Sequence, residues 1–264
     1  MAVQEHYDTR ALAPDTTAGM GVQLLVLEAL CRVAGLGTAG WLTGSVFAVV
    51  TWAVLTLALR RSWTGPFGPA NRVTLARTIL VGGVTALVAD SFDHRAPVAV
   101  LTALATVALI LDAVDGQVAR RTGTATRLGA RFDMEVDAFL ILVLSVYVAM
   151  PLGVWVLAIG LMRYAFVAAS WAWPWLRGEL PPSTARKTVA ALQGIVLVVA
   201  GAGIVPRTVD GVAVAGALAL LVWSFGRDVR WLWRVRPGAR GAAPTCPRAV
   251  PDRRPVRGRA ATGS

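Results

Sequence analysis

Long apolar runs alternate along the chain with arginine clusters and short polar breaks. The clearest runs cover Thr38 to Leu59, Val73 to Ala89, Ala96 to Val118, Phe132 to Met150, Leu152 to Leu176, Val189 to Ile204 and Val212 to Trp223. Most approach the ~20 residues that carry an α-helix across a ~30 Å hydrocarbon layer, so the pattern predicts a membrane helix in each. A shorter piece, Val22 to Val33, holds Glu28 and Arg32 four residues apart, a spacing that pairs them on one helical face. It fits either a further span or a helix lying in the interface.

The expected fold is therefore all-α: a polytopic helical membrane protein with a six-helix transmembrane core and one or two additional N-terminal helices. Four segments follow from the pattern. Residues 1–21 form a polar N-terminal segment, 22–70 the additional helices and a linker, 71–233 the membrane core and 234–264 a basic tail. The tail is rich in Arg, Pro and Gly without apolar periodicity, which predicts disorder. Met1 to Gly19 lacks the apolar centre of a cleaved signal peptide.

Composition supports the same class. Of 264 residues, 56% are hydrophobic and 16% charged, with mean hydropathy +0.60, which excludes an ordinary soluble domain. Cys31 and Cys246 fall in an apolar stretch and the basic tail, and provide neither a disulfide framework nor metal-binding spacing.

The formal net charge of +11 is unevenly distributed. Basic residues gather at Arg60, Arg61 and Arg72; at Arg120, Arg121, Arg127 and Arg131; at Arg177, Arg186 and Lys187; and from Arg227 onward. The intervening connections SFDHRAP, MPLG and VPRTVDG hold few positive charges. The positive-inside rule then puts the arginine clusters in the cytoplasm, and a multi-pass protein of the cell (plasma) membrane is expected. Topology accounts for most of the charge, so no nucleic-acid partner is expected. The tail instead faces membrane lipids, with anionic headgroups attracting each basic residue by about 1 kcal/mol near the surface.

Against this apolar background, the stretch LDAVDGQVARRTGTATRLGARFDMEVDAF, Leu111 to Phe139, is conspicuously acidic. Asp112 and Asp115 are three residues apart and Asp133 and Asp137 four apart, so each pair shares a helical face. RRTGTATRL between them reads as the turn of a helical hairpin, and counting outward from it brings the two pairs level. Carboxylates near a membrane interior cost at least ~2.5 to 3.5 kcal/mol each on insertion scales and demand a counter-charge. A hard divalent cation with oxygen ligands supplies one, and Mg²⁺ suits a site that leaves positions for water and substrate phosphate. Two such ions would polarise a phosphoryl group and steady its entering and leaving oxygens. Pairing with Arg120, Arg127 and Arg131 is the structural alternative. Gly116, Ala119 and Gly129 are small enough to admit a ligand to the backbone, or alternatively to permit close helix packing.

Asp112, Asp115-Gly116, Ala119-Arg120, Gly129, Asp133 and Asp137 reproduce the signature D-x2-D-G-x2-A-R-x8-G-x3-D-x3-D without a gap, and with it the sequence resembles the CDP-alcohol phosphatidyltransferase family. NRVTLAR, Asn71 to Arg77, resembles the Asn-x2-Thr-x2-Arg segment that opens the family's first core helix. The resemblance runs from about Asn71 to Trp223.

It implies a six-helix, homodimeric membrane enzyme, a Mg²⁺-dependent phosphotransferase of phospholipid biosynthesis. Such an enzyme moves a phosphatidyl group from CDP-diacylglycerol to a small polar alcohol and releases CMP. Carried over residue by residue, it makes Asp112, Asp115, Asp133 and Asp137 ligands of two Mg²⁺ ions, with Mn²⁺ as a substitute, and Asp137 also the base. Gly116, Ala119, Arg120, Thr126 and Gly129 would hold the CDP-lipid, joined by Asn71, Thr74 and Arg77.

For the acceptor, Arg163 inside an apolar span and Arg186 with Lys187 at a helix start are candidate contacts. They favour a phosphorylated alcohol such as glycerol 3-phosphate or inositol phosphate, and serine also fits. Pairing with an intramembrane Asp would explain Arg163, and topology would explain Arg186 and Lys187. Two competing readings use the same residues: a cation transporter or channel with an acidic path, and a transferase of the same fold that passes a headgroup from a soluble CDP-alcohol to diacylglycerol.

Overall fold

Uninterrupted Leu, Val and Ala runs without internal proline favour helix, and in a lipid layer each backbone N–H and C=O must be satisfied within its own segment. The computed structural model describes residues 13–62, 69–95, 97–122, 127–178 and 183–235; at 13–17, 58–62, 69–72, 115–122 and 127–128 it describes the backbone alone. Eight α-helices occupy the described residues: α1 Ala13–Ala34, α2 Thr38–Ser62, α3 Pro69–Asp90, α4 Val98–Thr122, α5 Arg127–Leu152, α6 Leu157–Ala172, α7 Thr184–Ala202 and α8 Arg207–Val235. The predicted basic, disordered tail lies outside the described residues except for its first two positions, which end α8.

Each predicted run has its helix, and the all-α expectation holds. Among the described residues, six helical segments are long and apolar enough to cross a membrane: α2, α3, α5, α7, α8, and α6 with the short turn before it. In α4 the described apolar segment is Val98–Val114, and the side chains of its remaining turns lie outside the described residues. The expected six-helix core corresponds to α3 through α8, preceded by two N-terminal helices. Helix α1 contains the short predicted piece and is not among the six, and its Glu28 and Arg32 pair at 2.9 Å as their spacing requires.

One predicted span is broken into shorter pieces. The run Leu152 to Leu176 becomes α6 flanked by 3-10 turns at Val154–Val156 and Pro174–Arg177. Gly153 has φ 107°, a left-handed conformation that ends α5, and Pro174 cannot continue α6. The hairpin turn is also tighter than expected. Helix α4 continues to Thr122 and α5 begins at Arg127, so only residues 123–126, outside the described residues, separate them.

Helix α3 is the centre of the bundle. It packs on α1, α2, α4 and α5, and 78% of its Val73–Asp90 segment is buried against 17–39% in the other candidate spans. Val81, Val84, Ala86 and Leu87 of α3 join Leu27 and Leu30 of α1, Leu101 of α4 and Leu140 and Leu144 of α5 in one apolar core. Helix α1 therefore shares the core of the helices that follow, whereas the buried Ala48, Trp52 and Leu55 of α2 form a smaller cluster of their own against Leu75 and Ile79 of α3. Glycine lets α2 come close: a Cβ at Gly40 would lie 2.7 Å from the Ala86 carbonyl oxygen of α3. Gly160 does the same between α6 and α5, where a Cβ would meet Leu142 Cα at 2.5 Å. The opposite faces are apolar and exposed, as at Leu42, Val46 and Val50 of α2 and Val212, Val222 and Trp223 of α8, which suits lipid contact.

Candidate active site

The site grows from three neighbouring helices. Thr74 and Arg77 lie three residues apart on α3, which turns both toward the same side, and both are buried. Asp112 comes from α4, and Asp133 and Asp137, one turn apart, from α5. Packing of α3 against both α4 and α5 brings these side chains together. Asp112, Asp133 and Asp137 each offer a carboxylate oxygen, and the three oxygens lie within 4.8 Å of one another.

The guanidinium of Arg77, with no exposed surface, sits against this triad. Nη1 bonds the Asp112 carboxylate and Nη2 the Asp133 carboxylate. Nη2 also donates to the Asp133 carbonyl at 3.1 Å, and Nη1 stands 3.3 Å from Asp137 Oδ1. The carboxylates are 29–40% exposed while Arg77 is fully enclosed, so the cation backs the cluster and the acids face outward.

Electrostatics decides what this arrangement can hold. Two carboxylate charges at such a separation repel by about 3–4 kcal/mol at an effective dielectric of roughly 20, before further solvent screening. Among the described side chains, three carboxylates face one guanidinium, a formal excess of two negative charges. An all-oxygen donor set from two adjacent helices, with negative charge to spare and an open side, fits a hard divalent cation such as Mg²⁺. A guanidinium from α3, that of Arg77, lies on the cluster, while Arg120 and Arg127 of the expected arginine alternative have side chains outside the described residues.

Other predicted residues divide by what is described. Asp115, Gly116, Ala119 and Arg120 follow Asp112 on α4, and Asn71 precedes Thr74 on α3, but their side chains lie outside the described residues, as does Thr126 altogether. Gly129 sits one turn before Asp133 at the start of α5.

Each of the two acceptor arginines has its own acidic partner. Arg163 of α6 forms an ion pair with Glu135 of α5. The expected alternative partner was an aspartate; Glu135 takes that place because, two residues from Asp133, it projects from another side of α5. Arg186 of α7 bonds Asp228 of α8 at 3.3 Å, and Lys187 beside it is exposed. Arg227 donates to Ser183 Oγ at 3.2 Å and lies over the Trp223 ring, 5.2 Å from its centroid, so the α7 start and the α8 end are tied together. Sequence reasoning misses Asp228, and it leaves Glu135 outside the site because that side chain projects elsewhere on the helix. Their signal was available, since a charge in an apolar segment requires an opposite charge nearby.

An all-helical architecture with six candidate spans among the described residues and an acidic triad shared by α4 and α5 defines a multi-pass membrane protein whose carboxylates are close enough to hold a metal ion. The comparison with known families makes this specific. The family described as CDP-alcohol phosphatidyltransferase matches residues 67–223, and the chain belongs to that family of phospholipid-synthesising transferases. Comparison with curated proteins and with solved structures gave no match.

Proposed function

We propose that the protein transfers a phosphatidyl group from CDP-diacylglycerol to a small polar alcohol and releases CMP, with Asp137 as general base. The observation that carries this reading is the convergence of Asp112, Asp133 and Asp137 to within 4.8 Å, in a chain of this family. Asp115 completes the acidic set from the next turn of α4. A divalent ion held by these aspartates would neutralise the diphosphate and polarise the phosphorus under attack.

The chain's own residues supply the rest. Asp137 is the carboxylate that Arg77 holds least closely, at 3.3 Å, which leaves it the freest of the three to accept a proton. It takes the proton of the acceptor hydroxyl, and that oxygen forms a bond to the lipid-side phosphorus. The bond from this phosphorus to the bridging oxygen breaks, and CMP departs with the electron pair. Asn71, Thr74, Gly116, Ala119, Arg120, Thr126 and Gly129 form the nucleotide-lipid side of the site. Arg163 and Arg186, each already paired with an acid, and the exposed Lys187 are the acceptor side, for a phosphorylated alcohol such as glycerol 3-phosphate or inositol phosphate. Arginine clusters at the hairpin and at the α7 start turn the site toward the cytoplasm of a plasma-membrane protein, which acts as a homodimer.

The test is CMP release by purified protein in detergent, supplied with CDP-diacylglycerol, Mg²⁺ and a panel of alcohols, with the lipid product identified by mass spectrometry. Asp137→Asn should abolish the reaction. Product formation only from a soluble CDP-alcohol and diacylglycerol would reverse the substrate assignment. Cation flux in liposomes without nucleotide, together with no CMP release, would replace the enzyme by a transporter.

A further inference from the structure

The geometry points to Arg77 as the resident counter-ion of the metal site, a positioning residue that holds the aspartates together in the metal-free protein and gives up its carboxylate contacts when a divalent ion binds. This rests on the proposed metal-dependent reading of the triad.

Three observations converge on it. First, Arg77 is the largest fully buried side chain among the described residues and comes from α3, the most buried of the candidate spans, so its position is imposed by the core. Second, its two terminal nitrogens reach all three carboxylates and one backbone carbonyl, crossing from α4 to α5. Third, the triad's oxygens are close enough to coordinate one ion, and two of the three carboxylates, those of Asp112 and Asp133, are the ones that accept from Arg77. A guanidinium and a divalent ion drawing on the same carboxylates repel each other at this range. The two cations therefore compete.

The arrangement has a physical purpose. Without Arg77, the metal-free triad would carry three adjacent negative charges in a partly buried site, a repulsion that would drive protonation or separation of α4 from α5. With it, the ligands stay gathered, at the cost of weaker metal binding. A divalent charge displaces a single one because its attraction for the same carboxylates is larger. A residue with a purely structural role, by contrast, would on removal leave metal affinity unchanged or lower it.

The experiment measures Mn²⁺ binding by electron paramagnetic resonance, and thermal unfolding with and without Mn²⁺, on full-length protein in detergent. Arg77→Gln should bind Mn²⁺ roughly tenfold or more tightly than wild type, because a repelling charge is gone. Its metal-free unfolding temperature should be lower than wild type, and saturating Mn²⁺ should close most of the gap. Unchanged or weaker Mn²⁺ binding by a folded Arg77→Gln protein would overturn the inference while leaving the metal site intact. Wild-type protein that binds no Mn²⁺, or binds it equally well as Asp133→Asn, would overturn the metal reading itself. Should Arg77→Gln fail to fold, a structure of the Mn²⁺-loaded wild type decides. Arg77 withdrawn from Asp112 and Asp133 supports the inference, and retained contacts refute it.

Discussion

Asp137→Asn and Asp133→Asn remove the same charge one helical turn apart, yet the structure predicts different outcomes for them. Asp133 bonds Arg77 through its carboxylate, and Arg77 has no access to water. Converting it to an amide replaces a charge-assisted acceptor with a weaker one against a buried guanidinium. The expected loss is about 1–3 kcal/mol of metal-free stability. For a chain of this length that lowers the unfolding temperature by roughly 2–4 °C per kcal/mol. Asp137 stands at 3.3 Å, is the most exposed of the three, and should cost within about 1 kcal/mol. Its loss should instead appear in the chemistry, where a missing general base alone slows turnover by roughly 10²–10⁴-fold, before any loss of metal affinity. Thermal unfolding in EDTA, followed by CMP release at saturating Mg²⁺, measures both quantities on the same preparations. If Asp137→Asn turned over normally, or if it were destabilised as much as Asp133→Asn with no separate loss of rate, the division between holding and reacting carboxylates would be wrong.

Removal of divalent ions with EDTA should abolish CMP release, and added Mg²⁺ or Mn²⁺ should restore it; persistence of activity in EDTA would remove the metal from the reaction. Arg163→Ala should raise the KM for the acceptor alcohol while leaving that for CDP-diacylglycerol unchanged, and a parallel increase in both would dissociate Arg163 from acceptor binding. Because its Glu135 partner is 58% exposed, the same variant should change stability by only about 0–1 kcal/mol in a thermal melt. Asp90→Ala should cost about 1–3 kcal/mol, since buried Asp90 accepts the Gly37 N–H at 3.0 Å where α2 meets α3; an unchanged melting temperature would show that water replaces this contact.

Helix number, helix type and the carboxylate spacings are properties of single segments, and the chain determines them locally. An apolar run of sufficient length forms a helix whatever it packs against, and residues three or four apart share a face by the helical period alone. Asp112, Asp133 and Asp137 could therefore be singled out, and their family recognised, from spacing. What spacing leaves open is how far one helix slides or rotates against another. That is decided by close contacts such as those at Gly40 and Gly160, which exist only once the helices meet. The tertiary structure alone brings Arg77 behind the carboxylates, pairs Arg163 with Glu135 and Arg186 with Asp228, and draws α1 into the common core. A counter-charge acts through distance in space, and most of these partners are separated by tens of residues along the chain.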